Sequence, residues 1–290
     1  MHVLVAGCGW LGVALGRSLA ARGERVTGVR RSEGAADALR AAGIEPLAAD
    51  LADPAALRSL PSDLEAIVAC QSAALDSEAA YREAYVHVTR RLLDVARAVA
   101  VRAFVYVGST GVFGQRDGGI VDERTPAAPA GPTAEVLVEA ERLVLGAASS
   151  GVPARIVRLS GLYGPGRAGV IDRVRRGVLA LGPGEGAWMN FCHLDDAVAA
   201  LGAVLDHGCD GAVYHGTDAS PARRGDVVRW IAGRLGVEPP RRLDERGAQG
   251  TRRGADRRIS GEWTRAQLGI SLTYPSYREG LAPLFGEGER

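Results

Sequence analysis

Lysine is absent from the 290-residue chain, so all 35 of its Lys+Arg residues are arginine. No lysine is available for a Schiff base with a carbonyl or with pyridoxal phosphate, or for a Walker A phosphate loop. A GC-rich genome, which favours Arg, Ala and Gly codons, produces the same bias. The absence therefore carries meaning only where a motif asks for lysine. Aromatic residues are few, at 5%, which argues against a stacking platform for single-stranded nucleic acid. Charge of one sign is also missing: 34 acids offset the arginines to a net +1, giving no overall attraction to nucleic acid or to an acidic membrane. The four cysteines (Cys8, Cys70, Cys192 and Cys209) are far apart and form no CxxC or Cys/His zinc pattern. They read as reduced thiols of a cytoplasmic protein, and no metal is expected. The apolar start, Val3 to Leu15, lacks a basic leader and is broken by three glycines. No other run approaches the ~20 apolar residues that span a bilayer.

What is present is an alternation of short apolar runs with longer helix-like stretches, the pattern of a parallel sheet with crossover helices. Strands are predicted at His2–Ala6, Arg25–Val29, Glu45–Ala48, Ala66–Ala69, Ala103–Val107 and Ala154–Leu159. Helices are predicted at Leu11–Arg22, Glu33–Ala42, Pro54–Ser59, Glu78–Val99 and Thr133–Ser149. Beyond residue 165 the spacing changes. Helices are expected at Arg167–Leu181, Asp195–Leu205 (capped by Asp195), Gly225–Leu235 and Thr264–Leu268, and short strands at Ala187–Phe191 and Gly211–Tyr214. The expected fold is α/β: a Rossmann-like doubly wound parallel sheet over residues 1–165, with a smaller C-terminal substrate lobe over 166–290. Residues 193–215 are expected to pack back on the first domain.

Gly7-Cys8-Gly9-Trp10-Leu11-Gly12 is a G-x-G-x-x-G that closes the first predicted strand and opens the first predicted helix. In that setting it is a strong dinucleotide signal. Gly7 permits the tight turn, Gly9 lets the backbone approach a pyrophosphate, and Gly12 lets helix and strand pack closely. The helix N-terminus offers free N–H groups to the anion, with Trp10 and Leu11 alongside. A plain strand-to-helix turn is the structural alternative. The second strand ends in Arg30-Arg31, where an NAD binder usually places an acid for the ribose 2′-hydroxyl. Guanidinium groups there suit a 2′-phosphate, so NADP is expected over NAD. Two solvated arginines are the alternative reading. Asp50-Leu51 after the third strand can face the adenine, although Asp53 is the better helix cap. Cys70 and Gln71, ending the fourth strand, can form a wall of the cofactor site.

At this point the chain resembles the extended and atypical branch of the short-chain dehydrogenase/reductase superfamily, the NAD-dependent epimerase/dehydratase-like proteins. Gly7–Gly12, Asp50-Leu51, Phe104–Gly114 (FVYVGSTGVFG), Glu139–Leu143 (EAERL), Arg158–Gly166 (RLSGLYGPG) and His193–Val198 (HLDDAV) carry the resemblance. It implies a nicotinamide cofactor, a small-molecule substrate and a possible homodimer through the fourth and fifth helices. It also implies a Ser/Thr, Tyr and Lys set, with the last two as Y-x-x-x-K. Ser109 falls on the Ser/Thr. Thr133 and Leu137 stand where Tyr and Lys are expected. A threonine hydroxyl is a far weaker acid than a phenol, whose pKa is about 10, so Thr133 is left to donate or relay a hydrogen bond. Thr110-Gly111 replace the acids of the dehydratases, Gly161 a substrate-side asparagine, and Tyr85 the helix-four asparagine. These departures make ordinary sugar-nucleotide chemistry a poor fit.

For the proton donor the order is Tyr163, then Tyr85, then His193, whose competing role is a packed or capping histidine. The Arg241–Arg258 stretch, with seven arginines against three acids, reads as an anion clamp at the lobe interface or as a solvated loop. The reading is an NADP(H)-dependent oxidoreductase on a small carbonyl-type metabolite, with Ser109, Tyr163 and Thr133 as its catalytic candidates. The alternatives are a dinucleotide sensor or scaffold without turnover, and a non-redox lyase, cyclase or epimerase that reuses the cleft.

Overall fold

The strands form because their residues are apolar on both faces. The computed structural model describes residues 1–178, 181–182, 184–240 and 255–289. In chain order the first half comprises β1 His2–Ala6, α1 Trp10–Ala21, β2 Arg25–Arg30, α2 Ala36–Ala41, β3 Glu45–Ala48, β4 Ala66–Ala69, α3 Glu78–Tyr81, α4 Val88–Ala98, β5 Ala103–Ser109, β6 Ile120–Val121 and α5 Pro132–Ser149. The second half comprises β7 Ala154–Leu159, β8 Gly161–Tyr163, α6 Gly169–Arg175, β9 Trp188–Met189, β10 Phe191–His193, α7 Leu194–His207, β11 Val213–Gly216, β12 Ala222–Arg223, α8 Arg224–Leu235, β13 Arg258–Ile259, α9 Glu262–Leu268 and α10 Tyr277–Leu281.

Seven strands make one parallel sheet in the order β11-β7-β5-β4-β1-β2-β3. Every residue of β1, β4 and β7 is buried. Helices cover both faces. On one face α1 and α7 pack together over Val3, Val5, Val68 and Val105; on the other, α4 and α5 cover Leu4, Ile67, Phe104 and Ile156. Each fully buried Val, Leu or Ile contributes about 1.5–3 kcal/mol. The winding reverses between β1 and β4, and in such sheets the crevice outside the strand ends at the reversal takes the ligand.

A separate apolar cluster gathers Tyr163 with Ile171, Val174, Phe191, Val227, Ile231, Tyr277 and Leu281. Within 193–215, α7 and β11 return to the main sheet, where β11 pairs with β7 as its edge strand.

Several local expectations need correction. The single helix over Glu78–Val99 is α3 and α4 joined by a π turn, Arg82–His87. The helix at Pro54–Ser59 shrinks to a 3₁₀ turn, Ala56–Ser59, whose N-cap is Ala55 and not Asp53; Asp53 Oδ1 accepts from the Ala55 N–H at 2.8 Å just before it. The strand at Ala187–Phe191 divides into β9, paired with β12, and β10, paired with β8. Asp195 does not cap α7; His193 does, its Nδ1 accepting from the Asp195 N–H at 3.2 Å. All four cysteines are free thiols. Among the described residues, no helix is long and apolar enough to cross a membrane.

Candidate functional site

The first loop of the sheet is shaped by glycine. Gly7 has φ +81°, and a Cβ there would lie 2.4 Å from Gln71 Cα and 2.5 Å from Gln71 N. No side-chain-bearing residue fits, so β1 turns into α1 directly against the end of β4. Gly12 packs α1 on the strand: a Cβ would meet Gly7 O and Val5 Cγ1 at 3.0 Å. Gly9, by contrast, faces open space, with nothing closer than 3.9 Å to a Cβ placed there. It caps α1 without a side-chain hydrogen bond, and the first turn carries no acid. The helix N-terminus therefore presents free N–H groups and partial positive charge to an anion.

A cleft of about 440 Å³ opens at this point. Its walls include Gly7, Cys8, Gly9, Arg30, Arg31, Ser32, Asp50, Leu51 and Gln71. Gly7, Gly9, Arg30, Arg31, Asp50, Leu51 and Gln71 are thus brought together. Both arginines are exposed at the end of β2. Asp50 accepts from the Ala52 N–H at 3.0 Å through Oδ1. Gln71 donates to Thr89 Oγ1 at 3.0 Å, while its own Oε1 is buried without a partner among the described residues. That oxygen is an acceptor suited to a ligand donor.

The remaining cofactor candidates stand apart from this cleft. Trp10 donates from Nε1 to Pro165 O at 2.9 Å and lies under the Arg167 guanidinium at 5.3 Å, tying α1 to the 164–167 loop. Leu11 packs against the core beneath α1, and Gly12 acts through packing. Cys70 is half-buried, its thiol pushed up by burial and then by Cys8.

Glu83, which the sequence reading overlooked, lines the opposite wall from the π turn. Its carboxylate meets His87 Nδ1 at 2.8 Å and Arg91 Nη1 at 2.9 Å, and its pKa is lowered chiefly by the His87 hydrogen bond. The pattern of a regular helix gives no hint of a π turn; these turns concentrate at functional sites.

Ser109, the last residue of β5, does not line this cleft; its Oγ accepts from the Gly111 N–H at 3.0 Å. A Cβ on Gly111 would lie 3.2 Å from Ser109 Oγ and 3.8 Å from Leu137 Cδ1. Leu137 therefore stands one small residue away from Ser109. Thr133 is half-buried in the first turn of α5. Tyr85 packs with Leu137 and Phe113 in one cluster, beside Tyr81 at 5.2 Å between rings. Burial, then Tyr81, raises its pKa.

Tyr163 requires correction. It is 4% exposed and packed in the C-terminal lobe, edge-on to Phe191 and His193 at 5.6 and 5.2 Å. A Cβ on Gly280 would overlap its hydroxyl, so the phenol is pinned against α10 and does not line the cofactor cleft. The residue ends β8, and alternation along that strand turns its ring inward. Burial, then Asp218, pushes its hydroxyl up in pKa. His193 is 2% exposed, caps α7, and has a ring centroid 3.8 Å from that of Tyr274. Its capping role prevails. Of the Arg241–Arg258 stretch, positions 241–254 lie outside the described residues.

The site is held from behind by Glu141 and Arg158. Nε and Nη2 of Arg158 donate to Oε1 and Oε2 of Glu141, both at 2.8 Å. The guanidinium also lies 4.9 Å over the Phe113 ring.

A crevice at the winding reversal, a glycine turn and an anion-ready helix start describe a dinucleotide site. The sequence profile of the NAD dependent epimerase/dehydratase family matches residues 3–215. The chain belongs to this family. It is 29% identical over 277 residues to protein YeeZ of Escherichia coli strain K12, covering 94% of this chain and 96% of that one. It is 32% identical over 314 residues to a 3-diazoavenalumate denitrifying reductase of a Streptomyces species, covering 97% and 99%. Its fold matches that of a dTDP-glucose 4,6-dehydratase from Streptomyces venezuelae solved with NAD bound, at a TM-score of 0.83, 22% identity and coverage of 98% and 95%. Family members are NAD(P)-dependent, and the relatives include proteins named as reductases.

Proposed function

We propose that the protein is an NADP(H)-dependent reductase of a small carbonyl-type compound. The observation that carries the cofactor preference is the pair Arg30 and Arg31, both lining the cleft at the end of β2. A carboxylate at that point would hydrogen-bond a ribose 2′-hydroxyl and repel a 2′-phosphate; two guanidiniums favour the phosphate. The residues present fit the dinucleotide: Gly9 leaves room for a pyrophosphate, and α1 presents its free N–H groups there. The reductase of the Streptomyces species, similar over nearly the whole length, supports a reductive reaction.

The bound cofactor supplies hydride. Ser109, at the end of β5, orients the substrate oxygen by a hydrogen bond. The usual Tyr-Lys dyad is replaced by Thr133 and Leu137, so the lysine that would lower a phenol's pKa is missing. Tyr85 or water delivers the proton, and Tyr163 does not. Leu137, buried close to Ser109, also favours a second reading: a dinucleotide sensor without turnover. A carbonyl-compound screen read by both NADPH absorbance and product mass separates the two. Loss of NADPH with a product two hydrogens heavier supports the reductase. Tight NADPH binding with no product supports the sensor, and a product formed without NADPH loss supports non-redox chemistry.

A further inference from the structure

Three arginines are buried among the described residues: Arg155, Arg158 and Arg257. Arg158 is neutralised by Glu141. Arg155 meets Asp210 Oδ1 at 3.2 Å and donates to the carbonyls of Val204 and Gly208. Arg257 differs. It is 9% exposed, its Nη2 donates to Thr110 O at 2.5 Å, and its Nε is buried with no partner among the described residues. No carboxylate among the described residues pairs with it. Burial alone lowers its pKa, to about 10.

The backbone that carries this side chain is firmly set. Asn190 grips the backbone around it, donating from Nδ2 to Arg257 O at 2.9 Å and accepting from the Ile259 N–H at 2.7 Å through Oδ1. On either side, Asp256 N–H donates to Gln115 O at 2.9 Å and Arg258 N–H to Gly119 O at 2.8 Å. The strand β13 then pairs with β6. Arg257 is thus stitched to the segment that leaves Ser109, and its guanidinium touches the residue next to Ser109.

Buried charges are paired, because an isolated one pays the full cost of leaving water. A guanidinium whose only partner among the described residues is one backbone carbonyl keeps donors of its planar fork for an oxyanion. We propose that Arg257 binds a carboxylate of the substrate beside Ser109, so that the substrate class is a small carbonyl compound bearing a carboxylate. This deepens the reductase reading and rests on it for the role of the carbonyl, but the anion site is tested without turnover.

The probe is oxamate, which carries a carboxylate next to a non-reducible carbonyl, titrated by calorimetry into the NADPH-saturated protein. Inorganic phosphate is the second arm. The expected result is oxamate binding that Arg257→Met weakens by at least about tenfold, the effect of one lost charge-assisted contact. NADPH affinity stays unchanged and the melting temperature stays the same or rises, because the variant removes an unpaired buried charge. Arg258→Met is the control and binds oxamate as the wild type does. The Nε–H resonance of Arg257 in labelled wild-type protein provides a reading independent of any variant, and it shifts on oxamate addition. Oxamate bound equally by Arg257→Met, a saturating titration that leaves the resonance unmoved, phosphate bound in place of oxamate, or no binding of oxamate would each overturn the proposal. A carbonyl screen without turnover, beside oxamate binding lost in Arg257→Met, removes the reductase reading and leaves the anion site standing.

Discussion

Glu141 and Arg158 form a bidentate ion pair in the interior, with both contacts at 2.8 Å and the two residues 3% and 6% exposed. It links α5 to β7 directly behind the strand that ends in Ser109. Removing one partner strands the other charge out of water. Glu141→Ala is expected to destabilise the fold by about 3–5 kcal/mol, the usual loss for a broken buried pair. The paired substitution Glu141→Leu with Arg158→Met should recover most of this, because two charges are removed together. Urea unfolding of the three proteins checks both statements. Equal stability of Glu141→Ala and wild type contradicts the account of the pair.

Ser109 is expected to act on substrate and not on the cofactor. Ser109→Ala should lower kcat by roughly 10²-fold, within the range for loss of a positioned hydrogen-bond donor, and leave NADPH affinity unchanged. Steady-state kinetics and a binding titration on the same preparation separate the two quantities.

Tyr85 and Tyr163 should behave oppositely. Tyr85→Phe is expected to reduce kcat. Tyr163→Phe should leave it unchanged and hold or raise the melting temperature, because its hydroxyl is buried with no partner among the described residues and such a group costs about 1–3 kcal/mol. A loss of turnover in Tyr163→Phe alone would reverse the assignment.

Asp218 gives a pH dependence. It is 2% exposed, and burial pushes its carboxyl up to about 7 from an ordinary value of 3.8. The folded protein therefore holds this proton more tightly than the unfolded chain. The resulting stability is fully present below about pH 4, falls as pH rises, and is gone above about pH 7. Asp218→Asn keeps a neutral side chain throughout, so it should match wild type at pH 4 and exceed it at pH 8. The difference between the two proteins isolates Asp218 from His193 and His215, whose pKa values are lowered by burial and whose effects run the other way. Denaturant titrations at both pH values provide the measurement.

Much of the architecture was legible because its causes are local. The strands β1, β3, β4 and β7 are apolar runs bounded by Gly, Pro or charge, and their limits coincide with those read from sequence. Gly7 was legible as a turn residue, and the structure adds its reason, the Gln71 backbone within 2.4 Å of a Cβ. Tyr163 was misjudged because its position after β7 gives no information about which face of β8 its ring occupies. That face is decided by packing against α10, more than a hundred residues later. The π turn and Glu83 were invisible because one inserted residue leaves the apolar pattern of a helix almost intact. Arg257 was seen as one of a run of charges, and only burial distinguishes it from its neighbour Arg258.

The preference for a 2′-phosphorylated dinucleotide rests on Arg30 and Arg31. Fluorescence titration of the wild type and of the Arg30→Ala/Arg31→Ala double variant with NADPH and with NADH tests it most directly. The wild type is expected to bind NADPH more tightly than NADH, and the variant to lose roughly 10- to 100-fold in NADPH affinity, the scale of one or two charge-assisted hydrogen bonds. NADH affinity should stay within about threefold, since no contact to it is removed. Wild-type protein that binds NADH more tightly than NADPH would contradict the claim.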